Sequence, residues 1–342
     1  MKKYNLLRLA GFLVLLLTTV ATQAQDLHFS QYFNSPLLVN PANTGFSPDV
    51  DWRLGVNYRN QWASVTTNPY KTMDLWGDVQ LFNNLMQNGW IGVGGSILRD
   101  VAGSGGLTST KVYGSIAYHQ LLGMNSLLST GFSAGYVNQR VDFTKLTFDD
   151  QWNGKFFDVT IPPDEPFAYS SVGYFDLNAG VNYAYFPSDN AYLNAGVSVM
   201  HINRPSESFF ASSITDERLS PRYTVFLNGS FKVNDQWIVN PNIYVSEMAG
   251  ANETVIGLNT HYNLSGDGSN QLILGGYYRL GDAIIPMAGY QINDISITVS
   301  YDVTASSLSA ADQTQGAYEL SIIKTGVFNP NGKPLKCPTV RF

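Results

Sequence analysis

Over most of this chain, apolar and polar side chains alternate one by one, and the polar set is almost free of charge. Trp52, Leu54, Val56 and Tyr58 alternate with Arg53, Gly55, Asn57 and Arg59. Leu128, Thr130, Phe132, Ala134 and Tyr136 alternate with Ser129, Gly131, Ser133 and Gly135. Phe175, Leu177, Ala179, Val181, Tyr183 and Tyr185 alternate with Asp176, Asn178, Gly180, Asn182 and Ala184. The pattern returns at Leu193–Val199, Ile295–Asp302 and Ala317–Ile322. A period of two puts successive side chains on opposite faces of a β-strand. No long stripe of period 3.6 accompanies it.

A soluble β-sandwich also alternates. Three features separate this chain from one. Many alternating runs reach ten or more residues, and a tilted strand needs about 9–11 to cross a bilayer. Tyr, Phe and Trp gather near the ends of the apolar faces, where membrane interfaces favour them. The polar faces carry Gly, Ser, Asn and Thr rather than Lys and Glu. Only 13% of the 342 residues are charged, against about 25% in ordinary soluble domains. The expected fold is all-β: a transmembrane antiparallel β-barrel of about 14 strands. Expected spans are 51–60, 70–82, 89–99, 107–121, 125–139, 170–186, 190–203, 221–233, 236–247, 252–263, 270–280, 283–291, 294–303 and 315–324.

The first 24 residues read as a secretory leader. Lys2, Lys3 and Arg8 precede an apolar run from Leu9 to Leu17, and Thr22-Gln23-Ala24 is a small-residue cleavage site. Removing those three basic residues leaves 17 Lys and Arg against 26 Asp and Glu. An acidic exported chain lacks the basic face that nucleic acid requires. No apolar window after Ala24 is long enough for a membrane helix. One Cys, Cys337, excludes an internal disulfide framework and a Cys-ligated metal cluster. It also lies far from a lipid-anchor position behind the leader.

An even strand count places both ends of the barrel on the periplasmic side. Even-numbered connections are then short: Leu122-Gly123-Met124, Pro187-Ser188-Asp189, Asn234-Asp235 and Ile292-Asn293. Odd ones include 140–169, 204–220 and 304–314, although 281–282 is short. The longest hold Asp149-Asp150, Asp164-Glu165 and Asp216-Glu217. Residues 25–50 precede the first strand, and their Pro and aromatic content suits a segment packed in the lumen or at the periplasmic rim. Residues 325–342 form a C-terminal periplasmic tail. Its Pro330, Pro334 and Pro338 forbid a continued central strand.

Gln31-Tyr32-Phe33-Asn34-Ser35-Pro36-Leu37, then Asn40-Pro41-Ala42-Asn43-Thr44-Gly45, resembles the opening signature of the PorP/SprF family. Tyr58-Arg59-Asn60-Gln61-Trp62, Pro69-Tyr70 and the Cys337-Pro338 end extend the resemblance to all of 25–342. It implies a non-enzymatic outer-membrane protein of Bacteroidota, linked to type IX secretion and gliding motility. Such proteins support secretion or surface anchoring of exported proteins such as adhesins, and associate with periplasmic secretion and gliding machinery. Within residues 25–50 the candidate partner-binding or plug motif comprises Phe29, Gln31, Tyr32, Phe33, Asn34, Pro36, Leu37, Asn40, Pro41, Ala42 and Gly45. The resemblance brings no catalytic residues and no cofactor. Removing residues 27–45 is expected to leave the barrel inserted and abolish partner capture.

Other candidate sites carry less. His28, His119, His201 and His261 show no metal spacing and read as unrelated polar residues. Three positions on one strand put Ser198 and His201 on opposite faces, while Ser115 and His119 share a face ~13 Å apart. Neither pair suits nucleophilic catalysis. Asp149, Asp150, Asp164 and Glu165 lack the spacing of a calcium loop and read as a solvated acidic surface. Gly92-Val93-Gly94-Gly95 and Gly103-Ser104-Gly105-Gly106 lack the Lys and helix of a phosphate loop. They read as close strand packing and a flexible loop. Arg53 and Arg59 fall on the polar face of the first strand, opposite Asp74 and Asp78 on the second. They form either a register-fixing charge ladder or a clamp on residues 25–50. Trp62 and Trp76 read as interface or lumen packing. A diffusion channel for small solutes is the alternative function, since fourteen strands enclose a wide lumen unless something fills it.

Overall fold

Residues 26–47, 49–82, 86, 88–158, 160–162, 169–209, 218–328, 340 and 342 are described by a computed structural model. The leader, Asp164, Glu165, Asp216, Glu217 and Cys337 lie outside them. The strands are β1 (Trp52–Gln61), β2 (Tyr70–Leu81), β3 (Gly89–Ala102), β4 (Leu107–Leu121), β5 (Ser126–Arg140), β6 (Ser171–Ser188) and β7 (Ala191–Met200). The second half holds β8 (Arg222–Asn234), β9 (Trp237–Met248), β10 (Ala251–Asn263), β11 (Asn270–Arg279), β12 (Ala283–Ile292), β13 (Ile295–Thr304) and β14 (Gln315–Gly326). Each pairs antiparallel with its chain neighbours, and β14 returns to β1. That seam runs unbroken from Trp52↔Gly326 to Gln61↔Ala317. The sheet is a closed 14-stranded barrel with no free edge, which lets a sheet cross a bilayer with every backbone group paired.

Most boundaries lie within a few residues of the expected spans, and the departures have local causes. β6 runs through Pro187 to Ser188, at the end of the strand where a missing N–H is tolerated. β7 stops at Met200 because His201 takes a left-handed φ of 57°. Asn203 then clamps the chain onto β6, accepting from Leu177 N at 3.1 Å and donating to Phe175 O at 2.7 Å. Pro241 and Pro286 sit inside β9 and β12 with their side chains outward. β8–β9 pairing is absent between Asn228↔Asn242 and Phe231↔Val239, and β12–β13 pairing between Ile284↔Val303 and Met287↔Ser300. A ring without an N–H interrupts one ladder and leaves the register intact.

The outer wall is apolar. Leu75, Ile116, Val197, Leu258, Leu274 and Val299 are exposed along it. Aromatic residues ring both ends: Tyr70, Tyr136, Tyr223, Tyr278 and Tyr318 at one, Tyr118, Tyr183, Phe231, Trp237 and Tyr290 at the other. This is the lipid belt with interfacial girdles of an outer-membrane barrel. The longest connections, 141–170 and 201–221, share the first end, called the outer end below. The outer turns at 249–250 and 280–282 are short, so the loop asymmetry is confined to part of the rim. The described C-terminal residues reach the opposite end, called periplasmic below, where Gly326 pairs with Trp52, whereas Asp26 lies in the lumen toward the first end. At the periplasmic end Phe342 lies against the β10–β11 turn, where a Cβ on Gly268 would come within 3.0 Å of its own. The lumenal face holds Asn57, Asp78, Ser96, Ser133, Asp176, Asn182 and Asp302, all buried.

Val299 is half exposed at the middle of β13. A Val299→Lys substitution puts a charge in hydrocarbon and should cost roughly 2–4 kcal/mol in reversible unfolding from lipid.

Candidate functional site in the barrel lumen

Residues 26–47 occupy the lumen, running from its outer half down to the periplasmic mouth. The segment is a chain of single turns: 3-10 at Tyr32–Asn34, α at Pro36–Val39 and 3-10 at Pro41–Asn43. Pro36 and Pro41 open their turns, where a missing N–H breaks no helical bond. Asn40 caps the third turn by accepting from Ala42 N at 2.8 Å. Turns this short leave backbone groups unpaired, and the barrel wall pairs them.

At the outer end, Asp26 meets Lys111 at 2.7 Å, Arg222 at 3.1 Å and His201 at 3.2 Å. Arg222 also donates to the carbonyls of Leu27 and Leu38. Glu319 accepts from the backbone N–H of Ser30 at 2.6 Å and of Gln31 at 2.9 Å. Arg59 pairs with Glu319 at 2.5 Å and Asp302 at 3.0 Å. Arg279 joins Asp302 at 3.2 Å and Glu253 at 3.0 Å, and His28 faces Glu253 at 3.5 Å. These ions are buried and mutually paired, the condition under which buried charge is tolerated.

Lower down, Asn34 O accepts from Trp76 Nε1 at 2.8 Å and from Asn57 Nδ2 at 3.0 Å. Gln31 and Asn34 reach Thr298 and Ser300 on β13. Tyr32 stacks on Tyr244 and Phe33 on Tyr277. Leu37 and Val39 are buried, as is Phe29. At the bottom, Thr44 bonds Ser115 at 2.9 Å, and its carbonyl bonds His119 at 2.8 Å. Gly45 donates to Asp78 at 2.8 Å and accepts from Trp90 at 2.8 Å.

Between these anchors the wall is pared down to small residues. Gly92, Ala117, Gly131, Gly180 and Ser198 are register partners in sequence across β3 to β7. A Cβ on Gly92 would lie 1.9 Å from Thr44 O, on Gly131 2.3 Å from Ala42 N, and on Gly180 2.0 Å from Asn40 Oδ1. Asn40 therefore lies against the sheet and donates to Val181 O at 3.0 Å and Val197 O at 3.1 Å. Ser198 donates to Val39 O at 2.6 Å. Close approach of residues 40–45, not strand packing alone, explains the glycines of 92–94.

The charges proposed on β1 and β2 divide. Arg53 and Asp78 are register partners and pair at 2.5 Å, with Arg53 also holding Asn43 O at 2.8 Å and lying 5.4 Å over Trp76. Arg59 does not pair within this ladder: Thr72 faces it in β2, and Glu319 faces it in β14. Asp74 faces Asn57 and is fully buried, and neither of its carboxylate oxygens has a hydrogen-bond donor. The histidines are not unrelated. His28, His119 and His201 all serve the segment, and the left-handed turn at His201 brings it to the lumenal face with Ser198. Only His261, bonded to Gln271, stands apart. Asp149 and Asp150 share one 3-10 turn of the outer loop. Among the described residues no acidic, His or Cys group is arranged to hold a metal.

Sequence reading missed Asp26, Lys111, Arg222, Glu253, Arg279, Asp302 and Glu319 as anchors. Their signal was parity: in a chain with few charges, each strand-borne ion among them falls on the polar face.

The fold and its contents define an outer-membrane β-barrel whose lumen is filled by its own N-terminal segment. The chain belongs to the PorP/SprF family: the model for "type IX secretion system membrane protein PorP/SprF" matches residues 21–323. Among solved structures it resembles the Pseudomonas putida toluene transporter TodX, at 12% identity and TM-score 0.52, over 85% of this chain and 92% of that one. The CymD monoaromatic hydrocarbon channel is similar at 10% identity and TM-score 0.52, over 87% and 94%. At such identities the likeness is one of fold. No curated protein matches in sequence.

Gly92→Ala should unseat the segment at a cost of about 1–3 kcal/mol, the usual overpacking range, and expose residues 26–47 to added protease. Gly114→Ala, with open space at its Cβ, should change neither. Asp78→Ala breaks a buried pair and should lower the unfolding free energy by about 3–5 kcal/mol. Asp74→Asn should raise it by about 1–3 kcal/mol, because the amide supplies an N–H where Asn57 Oδ1 also lacks a donor.

Proposed function

We propose that this chain is a non-enzymatic outer-membrane component of the type IX secretion and gliding machinery, supporting secretion or surface anchoring of exported proteins such as adhesins. The supporting observation is the filled lumen. Hydrogen bonds run from residues 26–47 to strands on every side of the barrel. Cavities of about 40, 20 and 10 Å³ lie beside the outer half of the segment, and one of about 280 Å³ lies toward the periplasmic end. A barrel so filled serves as a scaffold with two usable ends.

The outer end offers the 141–170 loop, where Trp152 and Phe157 pair edge to face at 5.2 Å and remain half exposed beside Phe156. This surface suits an exported client. The periplasmic rim and the tail suit the machinery, and the lipid belt suits the outer membrane. Residues 1–24 act as the cleaved leader. Because the Phe29–Gly45 motif is enclosed, it serves first as the internal plug, and a partner reaches it only after release. The channel alternative draws on the toluene and monoaromatic channels that share the fold, and it requires that segment to move.

Deletion of the gene should remove a specific client from the cell surface and the medium. The purified protein should show no steady conductance in planar bilayers, whereas removal of residues 27–45 should open one. Large steady conductance of the intact chain, with secretion unaffected by deletion, would instead establish the diffusion channel.

A further inference from the structure

The cavity of about 280 Å³ beneath the segment is walled by Phe33, Phe226, Asn194, Asn228, Asn240 and Asn242, among others. Its volume sits at the lower edge of small-molecule pockets, roughly 300–1,000 Å³. The wall mixes ring surfaces with side-chain amides. Arg53 is the only charged residue among the described lining, and its guanidinium is already engaged with Asp78, Asn43 O and Ser47.

Three of the amides are held by hydrogen bonds and keep groups without partners among the described residues, and Asn194 Oδ1 is buried with no partner among them. Asn240 donates to Asn259 at 2.8 Å, and Asn242 donates to Asn240 O at 2.9 Å and Tyr277 at 3.1 Å. That fixes both side chains and leaves each Oδ1 without a partner among the described residues. Asn228 accepts from Tyr32 at 3.4 Å, which leaves its Nδ2 free. The cavity thus presents fixed acceptors and a fixed donor between Phe33 and Phe226.

The geometry points to a binding site for a neutral sugar unit, entered from the periplasm. Sugar hydroxyls donate and accept at once, matching amides that offer both roles. The C–H faces of a pyranose ring match aromatic surface. An ionic ligand would find no free counter-charge here. A hydrocarbon would leave the fixed amide groups buried without partners, at about 1–3 kcal/mol each.

Saturation-transfer NMR on the full chain in detergent tests this with cellobiose, N,N′-diacetylchitobiose, hexa-N-acetylchitohexaose, glucuronate and toluene. Cellobiose or diacetylchitobiose should receive saturation. Binding of the hexasaccharide as well would identify the end of a glycan chain as ligand, and its failure a free disaccharide. Asn228→Leu should weaken binding about tenfold, and Ser230→Trp, which fills the cavity from another strand position, should abolish it. Heat-modifiable migration in gels verifies that each variant is folded. Should either fail to fold, Asn194→Leu takes its place with the same expected loss. Saturation of toluene or glucuronate alone would overturn the proposal, as would no sugar signal or sugar binding undiminished in the folded variants.

Discussion

A barrel in lipid must turn its apolar side chains outward, and its polar ones then face a lumen. Every donor and acceptor there needs a partner, from water or from protein. Here the partner is the chain's own N-terminal segment. Its turns expose carbonyls and N–H groups that a longer helix would have consumed, and the wall answers them with Trp76, Trp90, Asn57, Ser198, Glu319 and Arg222. The same constraint explains the buried ions: Arg59, Arg279, Asp302 and Glu319 neutralise one another in a space that would not tolerate any of them alone.

The fold was legible because period-two alternation is a local property and survives translation into strands almost residue by residue. Parity also placed Arg53 and Asp78 on the lumenal faces of neighbouring strands, and the register then sets them opposite each other. What alternation does not encode is which lumenal residues meet across the interior or across the β1–β14 seam. Arg59 faces Thr72 in one neighbour and Glu319 in the other, and only closure shows that the second wins. His201 escaped for a different reason. One left-handed residue at the strand end resets the face, and sequence spacing from Ser198 cannot register it. The inward glycines looked like strand packing because the chain that fills their space lies far away in sequence.

Family and fold bear on different parts of the molecule. The family match covers segment and barrel together, while the likeness to TodX and CymD is carried by backbone arrangement at very low identity. A common barrel can serve different tasks, since function resides in what is grafted onto it. In this chain the grafts are the packed segment, the aromatic outer loop and the amide-lined periplasmic hollow.

The path of residues 26–47 also constrains how the protein is made. Ser30 and Gln31 are bound to β14, Asn34 to β1 and β2, and Asn40 to β6 and β7. Segment and wall share one set of hydrogen bonds, so neither completes its own bonding without the other, and the β1–β14 seam closes over a segment that is bound to both of its sides. The N-terminal residues, first to emerge during export, are thus on hand before the walls that depend on them.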